Sequence, residues 1–215
     1  MRTKTDAAKI VDILKSEYPV GICSLDYDNA WQLMVAVRLS AQCTDARVNI
    51  VTEILFAKYP TLSALANAAP AEIEAIVRPC GLGPSKARDI SAAANIVLKE
   101  HGGRLPNTMD ALLKLPGVGR KSANLILGDI YHVPGVVIAD THCIRMANRL
   151  GFVKSTDPLK VENALRKVLP PEESNDYCHR CVLHGRAVCT ARKAMCTACC
   201  LAGLCPQSGI TGKTA

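Results

Sequence analysis

The feature that most constrains this chain is a short turn with glycine on either side of a valine: Leu115-Pro116-Gly117-Val118-Gly119-Arg120-Lys121-Ser122-Ala123. Met109 to Lys114, before it, are good helix formers. After it, Ala123, Leu125, Ile126, Leu127 and Ile130 recur at helical spacing. Glycine takes positive φ at no steric cost, so Gly117 and Gly119 allow a tight turn and close approach of a partner. The second helix begins at the turn, and its first N–H groups and positive dipole end form an anion site there. Lys121 lies in its first turn. The same residues also fit a plain helix corner with a solvated lysine, and two glycines alone do not decide between the two.

The turn has a partial copy upstream. Gly81-Leu82-Gly83-Pro84-Ser85-Lys86-Ala87 shares with Gly117 to Ala123 the pattern glycine, apolar residue, glycine, three residues, alanine. Pro84 has no N–H, which leaves the first copy one donor poorer for phosphate. The rest of the chain also reads as helix. Periodic apolar residues run from Asp6 to Tyr18, Ala30 to Ser40, Ala46 to Lys58, Thr61 to Ala68 and Pro70 to Val77. They continue from Ser85 to Glu100, Asp110 to Leu115, Arg120 to Tyr131, Asp140 to Leu150, Asp157 to Leu169 and Asp176 to Arg186. Asp140 suits an N-cap and Gly151 the position just past the helix end. Pro134 to Ala139 reads as short and extended. No strand ladder emerges, and aromatics are only 4% of residues, so the expected class is all-α.

A net charge of +7 points to a polyanionic partner such as nucleic acid. The N-terminus leads into an amphipathic helix rather than an apolar signal core, and no apolar run is long enough to span a bilayer, so a cytoplasmic protein is expected. Eleven cysteines are many for a reducing compartment, where clustering points to a metal site rather than to disulfides. Cys189, Cys196, Cys199 and Cys205 are spaced C-x6-C-x2-C-x5-C in a segment with almost no apolar core of its own, so a metal would order it. Two readings stand on spacing: a [4Fe-4S] cluster on these four residues, or zinc on Cys178, Cys181, Cys196 and Cys199. Cys178 and Cys181 fall in an apolar helical pattern with Val182 and Leu183, which marks them as core residues instead.

Taken together, these stretches resemble the endonuclease III family of DNA glycosylases, helix-hairpin-helix proteins with a [4Fe-4S] cluster. The resemblance runs through Leu39 to Asp45, Gly81 to Ala87, Leu115 to Asn124, Ala139-Asp140-Thr141-His142, His184-Gly185-Arg186 and the cysteine run, in family order over nearly the whole chain. It implies the cluster, on Cys189, Cys196, Cys199 and Cys205, rather than zinc. It implies a bifunctional glycosylase and abasic-site lyase of base excision repair, acting on oxidised pyrimidines in double-stranded DNA and cleaving abasic sites by β-elimination. Lys121 matches the family's nucleophile, which attacks the sugar C1′ and forms a Schiff base. The helix start and partial burial would favour the neutral amine such attack needs. Asp140 matches the catalytic aspartate, stabilising positive charge on the sugar or taking a proton from Lys121. Gln42 and Leu82 resemble residues that enter the DNA where a base has been extruded, the amide pairing with the orphaned base and the leucine wedging the stack. Lys86, Gly117, Gly119, Arg120, Arg192 and Lys193 would contact phosphates.

The implied architecture is two-lobed. Residues 23–133 would form a six-helix barrel with the hairpin. Residues 1–22 and 134–215 would form the cluster domain, with DNA in the groove between them and Lys121 facing Asp140. A monomer in a bacterial-type cytoplasm, associated with the nucleoid and not with a membrane, completes the expectation. Alternatives are an adenine-mismatch or pyrimidine-dimer glycosylase of the same superfamily, or a non-catalytic metal-containing DNA-binding protein. The adenine-mismatch enzymes generally lack a lysine at the Lys121 position.

Overall fold

A computed structural model describes residues 2–207. Among them every regular element is a helix. In chain order these are α1 (Lys4–Glu17), α2 (Ala30–Leu39), α3 (Asp45–Lys58), α4 (Leu62–Ala66), α5 (Pro70–Val77), α6 (Gly83–Glu100), α7 (Met109–Leu112), α8 (Arg120–Asp129), α9 (Thr141–Arg149), α10 (Pro158–Arg166) and α11 (Ser174–Ala187). Three 3-10 turns, Arg78–Cys80, Pro171–Glu173 and Cys196–Ala198, fall among them.

Local chemistry sets most helix starts. Thr3, Asn29, Thr44, Thr61, Thr108, Asp140 and Asp157 each sit just before a helix, and each side chain accepts from the N–H three residues on. The helices that follow the two glycine turns, α6 and α8, have no such side-chain cap. Helix α6 begins at Gly83, two residues before the expected Ser85, because proline is tolerated in a first turn. The helix expected over Asp110 to Leu115 is only Met109–Leu112; Lys114 and Leu115 instead donate to carbonyls three residues back and tighten into turns.

The chain divides into two compact units, Cys23–Tyr131 and the residues up to Ile22 together with those from His132 onward. In the first, α2 is the central helix and packs on α3, α6 and α8. Leu33, Val35, Ala36 and Leu39 of α2 are fully buried, so the helix is apolar almost all round, as a surrounded helix must be. In the second unit α11 packs on α1 and α9, and α10 on α9. Arg180 of α11 is buried and ties α1 to this unit: its Nε donates to Tyr18 O at 3.0 Å, while its other nitrogens meet Glu173 and Asp176. The segment Val136 to Ala139 is buried without joining a strand. Cys143, Cys178 and Cys181 pack in this core with Tyr177, as the apolar pattern around Cys178 and Cys181 predicts.

Candidate nucleic-acid interface and active-site residues

The hairpin is built as its glycines require, with one difference. Gly117 has φ +77°, and a Cβ there would stand 2.5 Å from Arg38 Cδ and 3.1 Å from Asp89 Cβ. Only glycine fits both the conformation and the space. Gly119 is extended, with φ −92°, so positive φ is not its reason for being glycine. It is the N-cap of α8, it supplies no side-chain acceptor, and a Cβ there would meet nothing within 4 Å. Its bare backbone leaves the helix start open to a partner. Val118 is buried beneath the turn, while Gly119, Arg120 and Lys121 are exposed. Lys121 is therefore exposed rather than partly buried, contrary to expectation.

Beneath this surface lies Arg38, a charge in the apolar run of α2. Its Nε donates to Asp89 Oδ2 at 2.8 Å, one guanidinium nitrogen pairs with the same oxygen at 2.7 Å, and that nitrogen donates to Ser85 Oγ at 3.2 Å. Arg38 thus braces the first turn of α6 and packs against Gly117 at the same time. Sequence reasoning passed over it. The available signal was an arginine between Val37 and Leu39, a place where a solvated charge does not belong.

In the first glycine turn, Gly81 has φ +73° and Leu82 is left-handed at φ 53°, ψ 33°, with its side chain 54% exposed. Gln42, in the loop after α2, is also left-handed at φ 58° and exposed. Lys86 departs from expectation. It is 0% exposed, and its Nζ donates at 2.8 Å to each of Leu39 O, Ala41 O and Cys80 O. Its ammonium is committed to the protein interior, so it is not a phosphate contact.

In the other unit Asp140 caps α9, with Oδ1 accepting from Cys143 N at 2.7 Å. The carboxylate is thereby fixed in direction, and its second oxygen is left for other work. The His184-Gly185-Arg186 stretch acquires a physical meaning. A Cβ on Gly185 would stand 2.5 Å from His142 Nδ1 and 2.8 Å from an Arg145 nitrogen, so glycine lets α11 close on α9. Arg145 then donates to Gly185 O and to Cys189 O, both at 3.0 Å. His142 is bonded to Arg145 at 3.0 Å, in keeping with a supporting rather than a catalytic role.

The cysteine segment is a run of turns. Between residues 188 and 207 Leu201 alone is buried, so little apolar packing holds the segment. Arg149 reaches in from the end of α9: one nitrogen donates to Cys189 Sγ at 3.2 Å and to Thr190 O at 2.8 Å, another to Ala191 O at 3.2 Å. His184 Nε2 lies 3.4 Å from Cys199 Sγ, and its Nδ1 lies 3.1 Å from the Tyr18 hydroxyl. Burial pushes the Cys199 thiol up to about 11, and the Cys189 and Cys205 thiols push it the same way. Burial raises Cys205 as well, with Cys189 and Cys196 adding to the shift. Cys189, Cys196, Cys199 and Cys205 thus lie in one neighbourhood, with Cys200 beside them. Arg192 and Lys193 are exposed on a turn pinned by Thr190, whose Oγ1 donates to Lys193 O at 2.6 Å. Arg145, Arg149 and His184 were not foreseen as supports of this segment; the first two lie four residues apart on one face of α9.

Comparison with known proteins agrees with this construction. Residues 35–171 match the family described as HhH-GPD superfamily base excision DNA repair protein. Endonuclease III of Synechocystis sp. is 44% identical over 205 residues, covering 95% of this chain and 94% of that protein. A solved non-covalent endonuclease III–DNA complex superposes with a TM-score of 0.89 at 39% identity, covering 97% of both chains. A trapped endonuclease III–DNA covalent intermediate, an estranged-adenine complex, gives the same TM-score and identity over 97% of this chain and 98% of that one. The chain belongs to the HhH-GPD superfamily of base excision DNA repair proteins and, within it, to the endonuclease III family.

Proposed function

We propose that this protein is a bifunctional DNA glycosylase and abasic-site lyase that removes oxidised pyrimidines from double-stranded DNA. The observation that carries the reading is Lys121, held exposed on the first turn of a helix whose start has no side-chain cap, behind a glycine that leaves room for a DNA strand. A relative 39% identical over almost the full length has been trapped covalently on DNA, which requires a nucleophile.

The chemistry then runs as follows. The turn at Gly117 to Gly119 and the start of α8 hold a phosphate, with Arg120 adding charge. The damaged base leaves the stack, Leu82 fills the gap and Gln42 meets the orphaned base. Neutral Lys121 Nζ attacks C1′, and the glycosidic bond breaks with its electron pair going to the departing base. Opening of the sugar ring gives the Schiff base. Loss of a C2′ proton then expels the 3′ phosphate. Asp140 stabilises positive charge on the sugar and accepts the proton that Lys121 gives up. Arg192 and Lys193 add salt-sensitive phosphate contacts. Cys189, Cys196, Cys199 and Cys205 fit a [4Fe-4S] cluster in number, donor chemistry and the scant apolar packing around them. When bound, the cluster would supply the order that the segment cannot draw from a core. The protein would act as a monomer at the nucleoid of a bacterial-type cytoplasm. Among the described residues no helix is long and apolar enough to cross a membrane.

Borohydride trapping tests the assignment. The wild-type chain should form a covalent adduct with a duplex containing an oxidised pyrimidine, and Lys121→Ala should form none. An adduct that persists in Lys121→Ala would overturn the nucleophile. Absence of nicking at any oxidised or abasic site would point to a binding protein. The metal is checked separately: purified protein should be yellow-brown with about four iron and four sulfide per chain. Colourless protein carrying zinc would refute the cluster.

A further inference from the structure

Two segments that the functional reading places in DNA are remote in sequence but meet at one buried atom. Leu39 ends α2 and Ala41, in the turn that follows, leads into Gln42; Cys80 closes the 3-10 turn that leads into Leu82. The carbonyls of all three accept from Lys86 Nζ at 2.8 Å. Lys86 also grips the second segment through its backbone, donating from N to Leu82 O at 3.0 Å. An ammonium has three N–H donors, and these three carbonyls use all of them; a neutral amine has one fewer and would turn a lone pair toward a carbonyl. The side chain is 0% exposed, so no water competes for those bonds.

What the strap holds is unusual. Among the described residues only three that are not glycine have positive φ, and two of them are Gln42 and Leu82. Left-handed backbone is unfavourable for residues with a Cβ and persists only where the surroundings over-determine it. Both side chains are exposed, and their own packing does not explain the conformation. The bonds from Lys86 fall on the residue immediately before Gln42, on Cys80 two residues before Leu82, and on the carbonyl of Leu82 itself.

We propose that Lys86 is a positioning residue that locks Gln42 and Leu82 together as one preformed unit for entering the duplex. The proposal rests on the reading that these two residues probe DNA. It assigns Lys86 no contact with the nucleic acid. The buried charge converts two separate loops into a single rigid probe, so that the cost of ordering them is met in folding rather than in base extrusion.

The test compares duplex with single-stranded substrates, because only a duplex needs a wedge and a partner for the orphaned base. In Lys86→Met, single-turnover excision of an oxidised pyrimidine from duplex should fall about 100-fold, as for a misplaced reactive assembly. Strand cleavage at an abasic site in single-stranded DNA should change less than about threefold on the same basis. The fluorescence of 2-aminopurine placed opposite the lesion should lose its rise on protein binding. In a Gln42→Ala/Leu82→Ala background, Lys86→Met should have no further effect. Equal losses on both substrates, or a full additional loss in that background, would overturn the proposal. Should Lys86→Met not fold, nitrogen-15 NMR of the wild-type chain decides: the Lys86 ammonium protons should exchange slowly with water, and fast exchange overturns the strap. A wild-type chain that excises nothing would sink the functional reading and this one with it. Excision by wild type without the substrate split would sink this one alone.

Discussion

The turns at Gly81-Leu82-Gly83 and Gly117-Val118-Gly119 carry one pattern and put different residues on the surface. In both, the first glycine is left-handed, at φ +73° and +77°. The next residue then diverges. Leu82 stays left-handed and stands 54% exposed, whereas Val118 is 7% exposed and has no positive φ. A β-branched residue resists the left-handed region more than leucine does, so valine turns its side chain inward. Both motifs close on a buried alanine, Ala87 and Ala123. Between glycine and alanine the lysines differ by one position, Lys86 aligning with Ser122 and Lys121 with Ser85. One position on a helix is a rotation of about 100°. That rotation sends Lys86 inside, to staple backbone, and leaves Lys121 outside. The shared pattern makes a turn followed by a helix; the residues filling it decide whether the turn exposes a side chain or an open helix start.

The comparison breaks if the lysine can move. Exchanging Lys121 and Ser122 keeps the composition and places the amine at the Lys86 register, so trapped adduct should fall at least about 10³-fold, as when a nucleophile is lost. An adduct retained in the exchanged variant would show that register does not separate the turns. The glycines sharpen the contrast next. Gly117→Ala combines left-handed backbone with a clash against Arg38 and should cost about 2–3 kcal/mol in urea unfolding. Gly119→Ala meets nothing and should stay within about 0.5 kcal/mol, while weakening DNA binding through the added methyl. The middle residues give the smallest effects. Val118→Ala removes buried methyls and should cost about 1–2 kcal/mol of stability. Leu82→Ala should leave stability within about 0.5 kcal/mol yet lower duplex excision in single-turnover assays. Equal stability losses for Val118→Ala and Leu82→Ala would remove the inside–outside distinction.

What the sequence disclosed depended on how local the cause was. Helix starts were legible at Asp140 and Thr61 because capping is settled within four residues. The burial of Cys178 and Cys181 was legible because α11 repeats apolar residues at helical spacing. Lys86 was not. A lysine two residues after proline in a helix start reads as surface, and the three carbonyls that capture it come from residues 39, 41 and 80, joined only by tertiary packing. Arg38 escaped for the same reason, since its partners Ser85 and Asp89 lie some fifty residues away. At Gly119 the expected positive φ is absent, and of the two reasons the sequence offers for glycine there only an open backbone for a partner to approach is left. The exposure of Lys121 was missed because a catalytic amine was expected to gain desolvation from its own chain.

Helix α9 carries a further consequence. It spans Thr141–Arg149, about 13 Å at 1.5 Å per residue. Asp140 is fixed to its first turn through Cys143 N, and Arg149 at its last residue grips the thiol of Cys189 and the backbone just beyond it. A helix of this length is a stiff lever arm. The cysteine segment is held at one end of it and the carboxylate at the other. The order of the cysteine segment and the placement of Asp140 are thus tied to one rigid element of one compact unit.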